Sequence, residues 1–117
     1  MSTDPKSALT QLQIADLVVG KGREVGKRGI VQVHYIGRLM NGTVFDSSYE
    51  SGRTMTVQLG TRQVIRGWDE GIPGMFQGGK RSLRIPAKMG YGSQGFGSLI
   101  PPNSDLEFDV EIITVLA

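Results

Sequence analysis

Four segments of the chain alternate apolar and polar residues with period two, the mark of strands that bury one face. From Ile30 to Leu39, the residues Val31, Val33, Tyr35 and Leu39 share a face. From Met55 to Leu59, Met55, Val57 and Leu59 oppose Thr56 and Gln58, and from Lys80 to Ile85, Leu83 and Ile85 oppose Lys80, Ser82 and Arg84. The clearest case is the last, where Leu106, Phe108, Val110 and Ile112 alternate with Asp105, Glu107, Asp109 and Glu111. Leu12 to Val19 is a candidate fifth strand. One-sided strands predict an antiparallel sheet with one covered face and one wet face. The basic row of 80–84 and the acidic row of 105–111 suit neighbouring strands. Helical spacing occurs near 64–75, where Ile65, Trp68, Ile72 and Met75 follow one another, and Gly67, Gly71, Pro73 and Gly74 keep that helix short. The fold predicted is α+β, a twisted antiparallel sheet wrapped around one short α-helix.

Composition narrows the chemistry. Of 117 residues, 17 are glycine, roughly twice the usual share of about 7%, as a turn-rich chain requires. The absence of cysteine excludes a disulfide scaffold, thiol catalysis and thiolate metal sites. A single histidine, His34, argues against a histidine metal cluster or a triad. The pI of about 9.2 reflects a net charge of only +2. The densest basic group, Lys21, Arg23, Lys27 and Arg28, reads as a solvated loop rather than a nucleic-acid surface. No apolar run reaches the roughly 18 residues of a membrane span, and the first residues lack the pattern of a secretory signal. These features predict a cytoplasmic protein: a flexible tail over residues 1–10, then one domain over 11–117. No metal or other cofactor is expected.

Several motifs fail on context. Gly90 to Gly95 spells G-x-G-x-x-G, but Phe96 to Pro102 cannot supply the helix that a dinucleotide fold places next. The glycines and lysines of 20–28 lack the spacing and the Ser/Thr of a P-loop. Asn41-Gly42-Thr43 is spelled as a glycosylation sequon and reads better as an Asn-Gly hairpin turn.

What remains is an aromatic and branched apolar set, Tyr35, Phe45, Trp68, Tyr91, Phe96, Ile100 and Phe108, with one carboxylate, Asp46, beside Phe45. These residues sit in segments that resemble a known family: Val33-His34-Tyr35-Ile36-Gly37, Gly42 to Ser48, Val64-Ile65-Arg66-Gly67-Trp68-Asp69-Glu70-Gly71, Tyr91-Gly92 and Ile100-Pro101-Pro102-Asn103. Together they resemble the FKBP-type peptidyl-prolyl cis/trans isomerases, the immunophilins that bind tacrolimus and rapamycin, in order from about residue 12 to the end of the chain.

The resemblance implies a half-barrel sheet around a short helix and an enzyme that rotates Xaa-Pro bonds in client proteins. By that resemblance Asp46, Trp68, Tyr91 and Phe108 are the catalytic residues. Trp68 forms the pocket floor, Tyr35, Phe45 and Phe108 its walls, and Val64 and Ile65 its rim, with the Ile65 N–H and the Tyr91 hydroxyl donating to ligand carbonyls. Phe96, Leu99 and Ile100 overhang the pocket. Three residues depart from the family pattern, one of them Phe96, which replaces a common histidine on the overhanging loop. Met55 replaces a wall phenylalanine, and Ser51 stands where an arginine often neighbours the aspartate, so Asp46 is expected to lack that partner. Retention of the aromatic set favours an active isomerase over a binding module that has kept only the fold. With no dimerisation arm in the sequence, a monomer is expected.

Overall fold

The computed structural model describes residues 9–117, and the two longest alternating segments become its two longest strands. The six strands are β1 (Gln13–Val18), β2 (Ile30–Leu39), β3 (Val44–Ser47), β4 (Met55–Gln58), β5 (Lys80–Ile85) and β6 (Leu106–Val115). They form one antiparallel sheet in the order β1-β5-β6-β2-β3, with β4 also on β2. The register sets Lys80 opposite Glu111 and Arg84 opposite Glu107, so the basic and acidic rows do meet. Arg38 on β2 reaches Asp109 at 3.2 Å and joins the same surface network. Partly exposed surface pairs of this kind contribute little each, about 0–1 kcal/mol, so the sheet rests on its other face.

That face is the core. Val31, Val33, Leu83, Ile85, Leu106, Val110 and Ile112 are fully buried on it. Helix α2 (Arg66–Gly71) packs there through Trp68. The helix is shorter than the pattern over 64–75 predicts: Pro73 stops it, and Ile72 and Met75 fill the core from the turn that follows. Beyond the predicted elements lie a one-turn helix, α1 (Ser48–Ser51), and 3₁₀ turns at Ala87–Met89 and Gly92–Gln94. The Asn41-Gly42 turn closes the β2–β3 hairpin, with Gly42 N–H on the Leu39 carbonyl and Thr43 N–H on Asn41 Oδ1.

The basic loop is solvated at its charged residues, but Val25 within it is buried and pinned, its N–H on the Met75 carbonyl and its own carbonyl accepting from Gly74. Arg81 shares the inward parity of Leu83 and Ile85. Its guanidinium donates to the Gly71 and Pro73 carbonyls at the end of α2 and to Asp16 on β1, tying the edge strand to the helix. Of the tail expected over residues 1–10, residues 1–8 lie outside the described residues. Leu9 donates its N–H to Asp105, whose other oxygen accepts from Ala87.

Helix α2 approaches the sheet too closely for a side chain at Gly67, where an added Cβ would lie 2.6–2.7 Å from three atoms of the buried Ile85. Gly71 meets Leu83 in the same way, at 2.8 Å. Alanine is the better helix former by about 1 kcal/mol, but overpacking a rigid, branched neighbour costs about 1–3 kcal/mol. Gly67→Ala should therefore lower stability in urea unfolding. A raised midpoint would contradict this helix–sheet spacing.

Candidate active site

The open end of the sheet holds a cleft of about 390 Å³ lined by Tyr35, Phe45, Asp46, Met55, Gln63, Val64, Ile65, Trp68, Tyr91 and Phe108. Its aromatic rings meet edge to face: Tyr35 on Trp68 at 5.1 Å and 79°, Trp68 on Phe108 at 5.3 Å and 85°, Phe45 on Phe108 at 5.5 Å and 85°. Each such contact adds about 0.5–1.5 kcal/mol beyond burial and fixes the tilt of its partner. Gly37 makes the wall possible, since a Cβ there would lie 2.7 Å from Phe108 and 2.8 Å from Phe45. Trp68 comes from α2, where it is 3% exposed, and its indole Nε1 is buried with no partner among the described residues. The floor is dry.

Few polar groups enter this space. The Tyr35 hydroxyl donates to Asp46 Oδ2 at 2.8 Å. Asp46 thus has a partner after all, supplied by the neighbouring strand. Ser51 points elsewhere, donating to the Ser48 carbonyl. Burial pushes the Tyr35 hydroxyl far above the ordinary tyrosine range, and the bond to Asp46 adds to that. Burial, then the Asp46 charge, raises Tyr91 as well. Both hydroxyls therefore remain proton donors at neutral pH. Ile65 turns the chain into α2, giving its carbonyl to Trp68 and Asp69 while its N–H lies before the first helical bond.

The other predicted residues lie next door. Phe96, Leu99 and Ile100, with Phe45, Asp46 and Tyr91, line an adjoining cleft of about 310 Å³. The three loop residues line this adjoining cleft, which shares Phe45, Asp46 and Tyr91 with the main one. Reciprocal bonds between the backbones of Phe96 and Ile100 close this loop into a tight hairpin. Ile100 is buried as its anchor, whereas Phe96 and Leu99 are 62% and 57% exposed. The Phe96 ring rests on Tyr91 at 5.0 Å. Gln63 was not foreseen. Its carboxamide accepts from the Gln58 N–H and holds the rim to the end of β4, a role that no spacing signals.

The sheet curves over α2, and the aromatic cleft at its open end carries a single carboxylate, Asp46, held by the Tyr35 hydroxyl. Residues 21–113 match the family model of FKBP-type peptidyl-prolyl cis-trans isomerases. An FK506-binding protein of Neisseria meningitidis serogroup A is 52% identical over 104 residues, covering 89% of this chain and 95% of that protein. The chloroplastic peptidyl-prolyl cis-trans isomerase FKBP13 of Arabidopsis thaliana is 48% identical over 87% of this chain and 54% of its own length. The crystal structure of AtFKBP13 superposes with a TM-score of 0.83 at 46% identity, covering 90% of this chain and 93% of that one. FkpA from Escherichia coli superposes at 0.81 and 40% identity, over 89% of this chain and 47% of that one. The chain belongs to the FKBP-type peptidyl-prolyl cis-trans isomerases, and it is an enzyme of that class.

The raised tyrosines make stability depend on alkaline pH. Tyr49 is pushed up to about 12 by burial and by its bond to Glu111, and Tyr35 and Tyr91 are also raised. In the unfolded chain these hydroxyls ionise from 10.0, before those of the folded protein, so the unfolded state is favoured as protons leave. The stability they contribute is complete below pH 10 and is lost as pH rises from 10 toward 12 and beyond. Urea midpoints at about pH 9 and about pH 11 should differ, with the higher pH less stable. Equal midpoints would contradict the upward shifts of these hydroxyls.

Proposed function

We propose that this enzyme accelerates cis/trans exchange of Xaa-Pro bonds in folding polypeptides, preferring an apolar residue before the proline. We further propose that tacrolimus- and rapamycin-type macrolides block it by occupying the same cleft. The observation that carries this reading is the floor itself: the rings of Tyr35 and Phe108 standing edge-on against a buried indole whose N–H has no hydrogen-bond partner among the described residues. Peptide-bond rotation crosses roughly 18–20 kcal/mol because the planar amide carries resonance. The twisted amide has a less polar carbonyl and gains less from water than the planar form. Moving the bond from water onto a dry aromatic floor therefore favours the twisted state over the ground state. Lowering the barrier by about 5–7 kcal/mol would give a rate gain of roughly 10⁴–10⁵.

The polar groups then act as fixed dipoles around the rotating bond. The Tyr91 hydroxyl and the Ile65 N–H face ligand carbonyls, and Asp46, held by Tyr35, sets the sign of the field beside the amide. The preference for an apolar preceding residue is supported by the adjoining cleft, where Phe96 and Leu99 offer exposed apolar surface. Exchange NMR on Leu-Pro and Phe-Pro peptides should show acceleration, weaker when an acidic residue precedes the proline. A rate equal to the buffer control would refute the activity.

If desolvation dominates, Asp46→Ala should reduce turnover moderately, by about tenfold or 1.4 kcal/mol. Phe108→Ala should reduce it further, and also cost about 3–5 kcal/mol of stability, so circular dichroism must first show a folded protein. A folded Phe108→Ala enzyme with full activity would contradict the floor.

Trp68 is the chain's one tryptophan, so saturating rapamycin should change its red-edge emission and inhibit exchange in proportion to occupancy. Met55→Phe should tighten binding by about 1 kcal/mol where aromatic contact is gained. Unchanged emission together with no heat by calorimetry would exclude drug binding in the cleft.

A further inference from the structure

Strand β2 changes partner part-way along its length. Residues 30–33 pair with β4, and 36–38 pair with β3. Tyr35 falls in the gap between these ladders, where neither strand offers it a backbone partner. Its N–H and C=O both turn to one side-chain atom instead, the hydroxyl of Ser48. Ser48 Oγ accepts from the Tyr35 N–H at 2.6 Å and donates to the Tyr35 carbonyl at 3.2 Å. Ser48 is 5% exposed and opens the one-turn helix α1. Its own carbonyl is locked by Gly52 N–H and Ser51 Oγ, so the hydroxyl is held by a closed turn.

His34 completes the arrangement. Its Nδ1 lies 2.8 Å from Ser48 Oγ, and its ring stacks on Tyr49 of α1 at 4.7 Å and 18°. Tyr49 in turn donates to Glu111, the register partner of His34 on β6. A serine hydroxyl has one proton and two lone pairs. With one lone pair taken by the Tyr35 N–H and the proton given to the Tyr35 carbonyl, the remaining lone pair suits a donor on His34 Nδ1. If Nδ1 were unprotonated, Ser48 would have to turn its proton to His34, leaving the buried Tyr35 carbonyl unpaired, which is costly.

We infer that Ser48 is a positioning residue for the isomerase reaction: its hydroxyl, oriented by a proton on His34 Nδ1, replaces the missing strand at Tyr35 and so fixes where Tyr35 holds Asp46. The inference rests on the proposed role of Asp46 in the cleft. Ser48 touches nothing in the cleft and acts only through the backbone of Tyr35.

The test has a kinetic and a spectroscopic arm, both on the full chain. In exchange NMR at a temperature where circular dichroism shows each variant folded, Ser48→Ala should lower kcat about tenfold with KM near that of the parent. Ser48→Thr, which keeps the hydroxyl, should recover most of the loss. A folded Ser48→Ala enzyme with unchanged kcat overturns the proposal, as does a Ser48→Thr enzyme no better than Ser48→Ala. Should Ser48→Ala not fold, Ser48→Cys keeps the shape with a poorer donor and should show an intermediate kcat. Parental kcat in Ser48→Cys would count against the proposal equally.

The parent enzyme is the control for the function itself. If it fails to accelerate exchange, the isomerase reading falls, and the second arm still tests the bond. His34 is the single histidine, so the ¹⁵N shifts of its imidazole at alkaline pH are unambiguous. A proton on Nδ1 supports the assignment, and a neutral ring protonated at Nε2 overturns it.

Discussion

The contact on which the rest depends is that of α2 with β5, where Gly67 and Gly71 let helix backbone lie directly on Ile85 and Leu83. A helix of six residues is far too short to be stable by itself. It persists because tertiary packing holds it, and the packing requires that approach. Arg81 secures the far end by donating to the last helical carbonyl, Gly71, and to that of Pro73 just beyond it. With both ends set, Trp68 can stand only where its ring meets Tyr35 from β2 and Phe108 from β6. The pocket floor is thus a consequence of helix–sheet spacing rather than a separate construction.

The walls follow from the same economy of space. Gly37 lies between Phe45 and Phe108, and its missing side chain is the room those rings occupy. Charge is admitted at one point, Asp46, and there only in the grip of Tyr35. A cleft made this way lines itself with packed rings and holds its carboxylate in a fixed direction. Those are the two properties that rotation of an amide demands.

Legibility in the sequence followed the length of each pattern. Ile30–Leu39 and Leu106–Val115 run for ten residues each with one face buried, and period two reveals them outright. Strand β3 has four residues and a register shift against β2 between Gly37 and Arg38, so it showed only through its Asn-Gly turn. Helix α1 is a single turn made by an N-cap serine and a left-handed Gly52, local chemistry that no periodicity displays. Among the site residues, the aromatic set was readable because so few aromatics exist to choose from, and the family resemblance placed them. The Tyr35–Asp46 bond was not readable, because it joins adjacent strands through a register that the bulge sets. The inward turn of Arg81 was hidden for a related reason: a charged residue at an apolar parity is legible only once its acceptors are known.

A site built from packed rings and one held carboxylate places its requirements on backbone position. The residues that matter then include several that never touch a substrate. Gly67 sets the depth of the floor, Gly37 the spacing of the walls, and Ser48 holds β2 where its pairing passes from β4 to β3. Such residues carry no chemical signature of their own, and in a sequence they pass for ordinary turn or helix positions. Where a cleft is shaped by such close approaches of backbone to ring, the boundary between fold and site is a matter of distance from the cleft rather than of kind.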